Sequence, residues 1–405
     1  MERAIFRVQL VTPCFLGGAE KQAEWRAASL RGQLRWWYRA VAGTVYAGDL
    51  TRVREGEERI FGSTRRSAAL RARALNPPAA LEGNAQSFGD PRSEKQLAEI
   101  WGDPEAAARL RLREGYPSRP LHYLGYGPIA GREVERSYLP AKAETCFELQ
   151  WGRPVGEEHR RLFDQALWAW LHLGGLGARN RKGFGSLCLL GVEGNWTAGF
   201  PPPPQTRDAL IQQIREMLPW REDGGDLPRW TCFSSRSRIY LGRDDHDLGM
   251  DAMEKIGAWL IGFRRRYGSP SDEREALRDR DYAWASPKGK DPRGGFPDRV
   301  GFGLPLPFKR KLGKTGFEGE TLLWDSPDGD PRRASPLLLH VARLGKNTFF
   351  PVLTYLPAEF LPQGGEVYFE DDSAKSSPPT PEQLAIVQSF LDDLASKDLI
   401  QQVAP

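Results

Sequence analysis

The order of strand-like and helix-like segments predicts an α+β protein made of two similar halves. The first half opens with a strand and a helix and closes with a strand, a helix and a strand. The second half again begins with a strand followed by a helix, and a run of four prolines, Pro201–Pro204, lies between the halves. With one more strand in the less regular middle of the first half, the order becomes β-α-β-β-α-β. This order predicts two tandem ferredoxin-like units with insertions.

Side-chain periodicity supplies the elements of the first half. Alternating apolar and polar residues over 4–13 predict a strand that Pro13 ends. A helix follows over 30–43, with Ser29 as its N-cap and Gly43 as its stop. Residues 48–115 are rich in charge, proline and glycine and are predicted to be irregular, with short elements. The closing elements are a strand over 145–151, a helix over 157–175 and a strand over 184–192.

The second half is predicted from the same signals. A strand over 230–242 precedes a helix over 250–268, and 299–308 reads as a strand or extended segment. The turn residues 326–330 predict a hairpin between the apolar runs on either side of them. A last helix is predicted over 380–399, with Thr380 as N-cap and Pro381 in the first helical position.

The proline run sets the predicted domain boundaries. We expect a first domain over 1–198, a proline-rich linker with a short helix over 199–228, and a second domain over 229–405. The 405 residues suffice for several domains with sizeable cores.

Composition restricts the class of protein. The four cysteines lie far apart without a C-x-x-C pair, so the sequence predicts no zinc site, no disulfide framework and a reducing, cytoplasmic setting. No apolar run is long enough to cross a bilayer. The net charge of +4 is small for this length, but the arginines are clustered, and a guanidinium is suited to phosphates and to stacking on bases.

The glycine-rich loop "GGLGARNRKGFGSL", residues 174–187, is the first candidate site. It follows a helix and precedes a strand, the reverse of a P-loop, and Lys182 precedes Gly183, so a mononucleotide site is not expected. Glycines let backbone N–H groups converge on an anion, and basic side chains add charge. The loop therefore predicts contact with a nucleic-acid backbone; a glycine-rich turn with solvated charges is the alternative. The candidate residues are Gly174, Gly175, Gly177, Arg179, Asn180, Arg181, Lys182, Gly183, Phe184 and Gly185.

The helix predicted over 30–43 carries the second candidate site. Arg31, Arg35 and Arg39 recur every fourth residue and share one face, and Gln33 lies between them in sequence. Like charges at this spacing repel, and a polyanion would relieve the repulsion. The alternative is an ordinary solvated face. A separate face consists of Leu30, Leu34, Trp37 and Val41 and is expected to pack on the sheet.

The second half repeats the basic character. Arg236 and Arg238 alternate along the predicted strand and would share one face of it. Further basic segments lie at 263–268 and 309–314, and Arg332 and Arg333 form another. Basic patches in both halves favour a groove for nucleic acid.

Two N-terminal motifs and the glycine loop carry a resemblance to a known family. "TPCFLGGAEKQAEWRAASLRGQLRWWYRAVAG" followed by "GGLGARNRKGFGSL" resembles the RAMP superfamily of CRISPR-associated proteins. Within it, the residues are most similar to the family of the first subunit of the Cmr complex, the type III-B RNA-targeting effector. "RVGFGLPLPF" and "DPRRASPLLLHV" resemble that family's second half.

The resemblance implies two ferredoxin-like units related to RNA recognition motifs and a role in prokaryotic antiviral defence. It implies a non-catalytic RNA-binding subunit whose partners are the 3′ region of the crRNA, the target RNA and the other Cmr subunits. No cofactor, metal ion, membrane or small-molecule substrate is expected. One alternative is a metal-independent endoribonuclease that processes CRISPR repeat RNA, with His172 or His122 as general base. A third interpretation makes the basic patches surfaces for protein partners.

Overall fold

The structure is a computed structural model. It describes residues 2–17, 22–81, 119–130, 133–196, 200–220, 227–266, 298–304, 306–312, 316–324, 332–361, 365–369, 372–377 and 385–404. The helices are α1 (Ala27–Val45), α2 (Leu50–Phe61), α3 (Arg119–Leu124), α4 (Glu157–Leu173), α5 (Arg207–Met217), α6 (Gly249–Arg266) and α7 (Ile386–Ser396), with a 3-10 helix at Asp298–Phe302. The strands are β1 (Arg3–Leu10), β2 (Leu70–Leu75), β3 (Ile129–Ala130), β4 (Glu133–Val134), β5 (Glu144–Trp151), β6 (Leu187–Asn195), β7 (Arg238–Gly242), β8 (Leu306–Leu312), β9 (Gly316–Trp324), β10 (Leu337–Leu344), β11 (Thr348–Tyr355), β12 (Val367–Phe369), β13 (Asp372–Ser377) and β14 (Ile400–Ala404).

Two four-stranded antiparallel sheets share one strand order. The first sheet is ordered β2-β5-β1-β6 and the second β10-β11-β7-β14. When only the strands of one sheet are counted in chain order, each order is second, third, first, fourth. In each half a helix follows the first strand and another separates the third from the fourth. The predicted mixed α and β class with antiparallel sheets is confirmed.

A third sheet is built from inserted segments. Its order is β13-β12-β9-β8, and its strands come from two separate stretches of the second half. β8 and β9 lie between α6 and β10, and β12 and β13 lie between β11 and α7.

The cores of the two halves are continuous. One buried cluster joins α1, α4 and the first sheet to Leu338, Phe350 and Val352 of the second sheet. A second cluster surrounds α6 and α7 and includes Phe15 and Phe184 from the first half. The two sheets are therefore packed through shared apolar side chains.

Among the described helices, none combines the length and the apolar character that crossing a bilayer requires.

The ends of α1 differ from the prediction. The helix begins at Ala27 with Arg26 as its cap residue, and the hydroxyl of Ser29 accepts a hydrogen bond from Arg26 Nε at 3.1 Å instead of capping the helix. Gly43 lies inside the helix, where a Cβ would come within 2.7 Å of Trp230 Nε1. Gly43 therefore permits close packing and does not end the helix.

Within residues 48–115, the described part, 48–81, contains a regular helix that was not predicted and the additional strand that the β-α-β-β-α-β order requires. α2 begins after Asp49, whose side chain accepts hydrogen bonds from Thr51 N and Arg52 N. β2 supplies one edge strand of the first sheet.

Two predictions for the second half are corrected. The strand predicted from Trp230 begins at Arg238, because Ser234 and Ser237 close a hydrogen-bonded turn before it. The predicted hairpin is wrong: β9 pairs with β8 and β12, whereas β10 pairs with β11 across a turn containing Gly345 at φ +55°. The turn residues 326–330 themselves lie outside the described residues.

The end of the chain also differs. α7 starts at Ile386, later than predicted, and Thr380 and Pro381 lie outside the described residues. The chain does not end on that helix, because β14 follows it and completes the second sheet.

Candidate nucleic-acid interface

The glycine-rich loop folds tightly against the start of the chain. Leu176 N donates to Gly185 O at 3.0 Å, and Ala178 N and Gly185 N donate to the carbonyls of Phe15 and Pro13. Gly177 and Gly185 have φ of +84° and +67°, and a Cβ on either would lie 2.6 Å or less from a backbone oxygen. These glycines are required by the packing of the loop itself.

The loop also joins the two halves. Leu339 N of β10 donates to Arg181 O at 3.1 Å, and His340 Nδ1 lies 2.6 Å from Gly174 O. Gly183 O accepts from the hydroxyls of Thr12 and Ser186. The loop thus covers β10, which is at one edge of the second sheet, and several of the loop's amides already bind protein acceptors. Amides that donate to protein carbonyls are not available to an anion, so this geometry gives little support to the predicted convergence of loop amides on an anion.

The basic side chains of the loop are half-buried, and two of them lie beside aromatic rings. The guanidinium of Arg179, a non-glycine residue at φ +63°, lies 5.9 Å from the ring centroid of Tyr126. Arg181 lies 4.8 Å from the ring of Trp36 on α1 and donates to Ser335 O at 2.5 Å. Lys182, which follows Arg181 directly, is half-buried. The loop therefore presents cations beside two aromatic rings.

Cations from other segments reinforce this charge. Burial lowers the pKa of Arg179; Tyr126 partly offsets that effect, and Arg332 and Arg136 lower the pKa further. Burial and Arg333 lower the pKa of Arg181 to about 10. We refer to Arg136, Arg179, Arg181, Lys182, Arg332 and Arg333 as the loop cation cluster.

Within the described residues, no carboxylate offsets the charge at the centre of this cluster. Burial, with Arg179 and Arg181 nearby, lowers the pKa of Lys182 to about 8. The groups that act on Arg179, Arg181 and Lys182 are cations and the tyrosine. Crowded cations raise the electrostatic free energy of the protein, and a bound polyanion would lower it.

The arginines of α1 have a different environment. Arg35 Nε lies 2.8 Å from Glu57 Oε1, and Arg39 Nε lies 2.5 Å from Glu57 Oε2. Arg31 donates to Phe61 O at 2.9 Å. Burial would raise the pKa of Glu57, but hydrogen bonds from Arg39 and Arg35 outweigh it and lower the pKa. The face therefore packs on α2, and one buried carboxylate neutralises part of its charge.

Two predicted site residues have mainly structural contacts. Gln33 accepts a hydrogen bond from Asn180 Nδ2 at 3.1 Å and so ties α1 to the loop. The ring of Phe184 is completely buried, 5.1 Å from the ring of Phe15, which excludes contact between this side chain and RNA in this conformation.

The arginines of the second half are divided between two places. Arg236 is exposed in the turn before β7, and Arg238 donates to the carbonyls of Ser235 and Ser237. They do not share a strand face, because Arg236 precedes the strand. Arg333 pairs with Leu304 through its backbone and donates to Glu359 O and Phe360 O. Most of the basic segments at 263–268 and 309–314 lies outside the residues whose side chains are described.

The candidate catalytic histidine is buried. His172 packs against Trp168 with 4.7 Å between ring centroids, and burial together with His340 lowers its pKa to about 3. A general base needs access to substrate, which this position does not provide. His122 is half-buried on α3. Among the described residues, no three metal-ligating side chains come together.

Tyr126 and Arg136 were not predicted as site residues. Both are exposed and lie next to Arg179. One signal was present in the sequence: Tyr126 lies between Gly125 and Gly127, an arrangement that favours a turn with a protruding aromatic ring.

Comparison with known proteins supports the resemblance. Residues 7–188 match the sequence model of the RAMP superfamily, in agreement with the resemblance that the motifs carry in this part of the chain. Over 188 residues the chain is 28% identical to the CRISPR system Cmr subunit Cmr1-2 of Pyrococcus furiosus, covering 46% of this chain and 95% of that protein. It is also 28% identical over 169 residues to Cmr1-1 of the same organism, 41% of each chain.

A solved structure extends the similarity to the second half. The crystal structure of Cmr1 from Pyrococcus furiosus in its apo form matches with a TM-score of 0.54 and 17% identity. The match covers 100% of this chain and 99% of that one. At this identity, the match establishes a shared fold.

Proposed function

We propose that this chain, whose residues 7–188 match the sequence model of the RAMP superfamily, is a non-catalytic RNA-binding subunit of a type III-B CRISPR (Cmr) effector complex. The observation that carries the proposal is the loop cation cluster. Three separate segments bring six cations to the junction of the two halves, and the groups acting on its three loop residues include no described carboxylate. A phosphate backbone is the ligand that such a cluster suits.

The proposed architecture is two tandem ferredoxin-like units. The common strand order of the two sheets supports it. We assign the first unit to 1–198, a linker with α5 to 199–228 and the second unit to 229–405. The loop cation cluster then draws on both units, because Arg332 and Arg333 come from the second.

The proposed partners are crRNA, target RNA and the other Cmr subunits. The relatives named above, Cmr1-2 and Cmr1-1, are themselves described as Cmr subunits, which favours membership of such an assembly. Arginine contacts to phosphates carry little base information, so we expect RNA binding with weak sequence preference.

The test uses the full chain and labelled single-stranded RNAs of equal length and unrelated sequence. Fluorescence anisotropy at 50 to 200 mM salt should show affinity that falls steeply with salt and differs between sequences by less than about tenfold. The same RNAs and a CRISPR repeat RNA, incubated with the protein in EDTA, should stay intact. Cleavage in EDTA would favour the endoribonuclease alternative, and absence of RNA binding would favour a surface for protein partners.

A further inference from the structure

Among the described residues, three large hydrophobic side chains are exposed. Tyr126 is the aromatic one, and 41% of its surface is accessible. The others are Val45 and Leu50, which lie at the α1–α2 corner. Exposure of one aromatic ring is unremarkable by itself. Its surroundings make it informative.

The turn that carries Tyr126 is held firmly. Gly125 N donates to Leu121 O at 2.8 Å, and Ile129 N donates to Gly125 O at 2.9 Å. A Cβ on Gly125 would lie 2.4 Å from Ile129 Cδ1, and Gly127 has φ of +103°. The backbone on both sides is therefore fixed, and the ring is presented to solvent from a packed turn.

The ring lies beside the exposed side of the loop cation cluster. The guanidinium of Arg179 is 5.9 Å from its centroid, within the range of a cation–π contact. Arg136 and Arg332, both exposed, act electrostatically on the same guanidinium. An aromatic face and three cations thus occur together at one edge of the cluster.

This combination is the one that binds single-stranded nucleic acid, in which bases stack on aromatic rings and phosphates bind neighbouring cations. In a duplex the bases are already stacked and paired, so the ring would have nothing to bind. We propose that Tyr126 stacks on an unpaired base of the RNA while Arg136, Arg179 and Arg332 bind the adjoining phosphates. The inference rests on the proposed RNA-binding function and adds that the ligand at this edge is an unstacked, single-stranded nucleotide.

The experiment is a thermodynamic cycle on the full chain. The ligands are a fluorescein-labelled single-stranded 12-mer of uridine and the 12-mer of the same sugar-phosphate backbone without bases. The proteins are wild type, Tyr126→Ala, Tyr126→Phe and Leu50→Ala, each checked by thermal unfolding. Leu50 is the matched control, because it is a large exposed apolar residue, 62% accessible, at the start of α2.

We expect Tyr126→Ala to weaken uridine 12-mer binding by about 5- to 150-fold, the range measured for one stacked base. It should leave binding of the abasic 12-mer unchanged. Tyr126→Phe and Leu50→Ala should both bind like wild type, because Phe keeps the stacking face and Leu50 is not at the cluster.

Three results would count against these ideas in distinguishable ways. If wild type fails to bind the uridine 12-mer at all, the proposed function itself fails. If wild type binds and Tyr126→Ala loses equal affinity for both ligands, the ring acts through the arginines and the stacking proposal is overturned. If Tyr126→Ala binds RNA normally but no longer assembles with the other subunits, the ring contacts protein, and the stacking proposal is again overturned.

Discussion

The arginine face of α1 and the glycine-rich loop look alike in sequence and differ in the folded protein. Both place three basic side chains close together, at 31–39 and at 179–182. On α1, the guanidinium groups of Arg35 and Arg39 converge on the buried carboxylate of Glu57. In the loop, Arg179 instead meets Arg136 and Arg332, and its pKa is lowered.

The difference shows that a basic pattern is informative only once its counter-charges are known. Glu57 is 18 residues from Arg39 in sequence and satisfies it by a short-range contact between neighbouring helices. The cations that crowd Arg179 come from much more distant segments. A bound anion would therefore stabilise the loop more than the arginine face of α1, because Glu57 already neutralises part of the charge of that face.

The largest effect is expected when a methyl group is added to Gly185 in the loop, and the same change in α1 serves as its control. In Gly185→Ala the new Cβ would lie 2.0 Å from Leu176 O, and the residue would be held at φ +67°. We expect a loss of more than about 3 kcal/mol in the free energy of unfolding, since backbone atoms must move. Gly32 on α1 is the matched control. A Cβ there meets nothing within 4 Å, so Gly32→Ala should gain up to about 1 kcal/mol.

Urea unfolding of both variants measures these changes. If Gly185→Ala proved as stable as wild type, the loop would not be packed as described. The loop would then have a different backbone conformation, and the positions of its basic side chains relative to RNA would have to be derived from that conformation.

The next effect concerns RNA affinity. In Arg179→Met/Arg332→Met, the unbranched stems remain and two cations of the cluster are lost. We expect RNA affinity at low salt to fall by about 10- to 100-fold, and the slope of log affinity against log salt to flatten by about 1.4. Fluorescence anisotropy with one single-stranded RNA over a salt series measures both quantities.

The control pair is Arg35→Met/Arg39→Met on α1. We expect RNA affinity within about threefold of wild type, and a free energy of unfolding lower by about 1 to 3 kcal/mol, because Glu57 is left buried without its partners. The opposite result, a large loss of affinity with normal stability, would make α1 the principal RNA-binding element.

Local periodicity was enough to predict much of α1, and the same kind of signal failed for its partner. Leu30, Leu34, Trp37 and Val41 follow helical spacing and are fully buried, as predicted. α2, which carries Glu57, lies in a segment whose charge and glycine content obscured the helical pattern. The sequence therefore predicted which side chains lie on the basic face but not what that face contacts.

Long-range contacts limited prediction of the site in the same way. The glycine loop was found from its composition, but its pairing with Leu339 and its proximity to Arg136 depend on how the halves pack. The strand order of the second half was equally inaccessible. An apparent turn at 326–330 suggested the wrong partner for β10, and the closing strand β14 is short and weakly patterned.

The third effect is a pH dependence of stability at the base of the loop. His172 and His340 are buried, and burial lowers their pKa values to about 3 and about 4. In the unfolded chain each would bind a proton below about pH 6.5, so the unfolded state gains protons that the folded state cannot accept. The free energy of unfolding therefore keeps its full value above that pH and decreases as the pH falls below it. We expect each histidine to contribute a loss of about 2 kcal/mol between pH 7 and pH 5.

His172→Phe isolates one of the two contributions. Phenylalanine keeps an aromatic ring against Trp168 and cannot titrate, so the fall in unfolding free energy between pH 7 and pH 5 should shrink by about 2 kcal/mol. An unchanged pH dependence in this variant would show that His172 is protonated in the folded protein as readily as in the unfolded chain.

The smallest effect is a pH dependence of RNA affinity that arises from Lys182. Burial, with Arg179 and Arg181 nearby, lowers the pKa of Lys182 to about 8, so the free protein loses this charge between pH 7 and pH 9. A phosphate beside the ammonium would favour the charged form and raise the pKa again, so binding takes up a proton at alkaline pH. Affinity for an oligoadenylate strand should therefore fall by at most about tenfold from pH 7 to pH 9.

Lys182→Met should remove this fall. Lys397→Met should retain it, because Lys397 is paired with Asp393 at the C-terminal end of α7. If wild type and Lys182→Met respond to pH identically, Lys182 is not at the RNA, and the RNA-binding surface is confined to the arginines of the cluster.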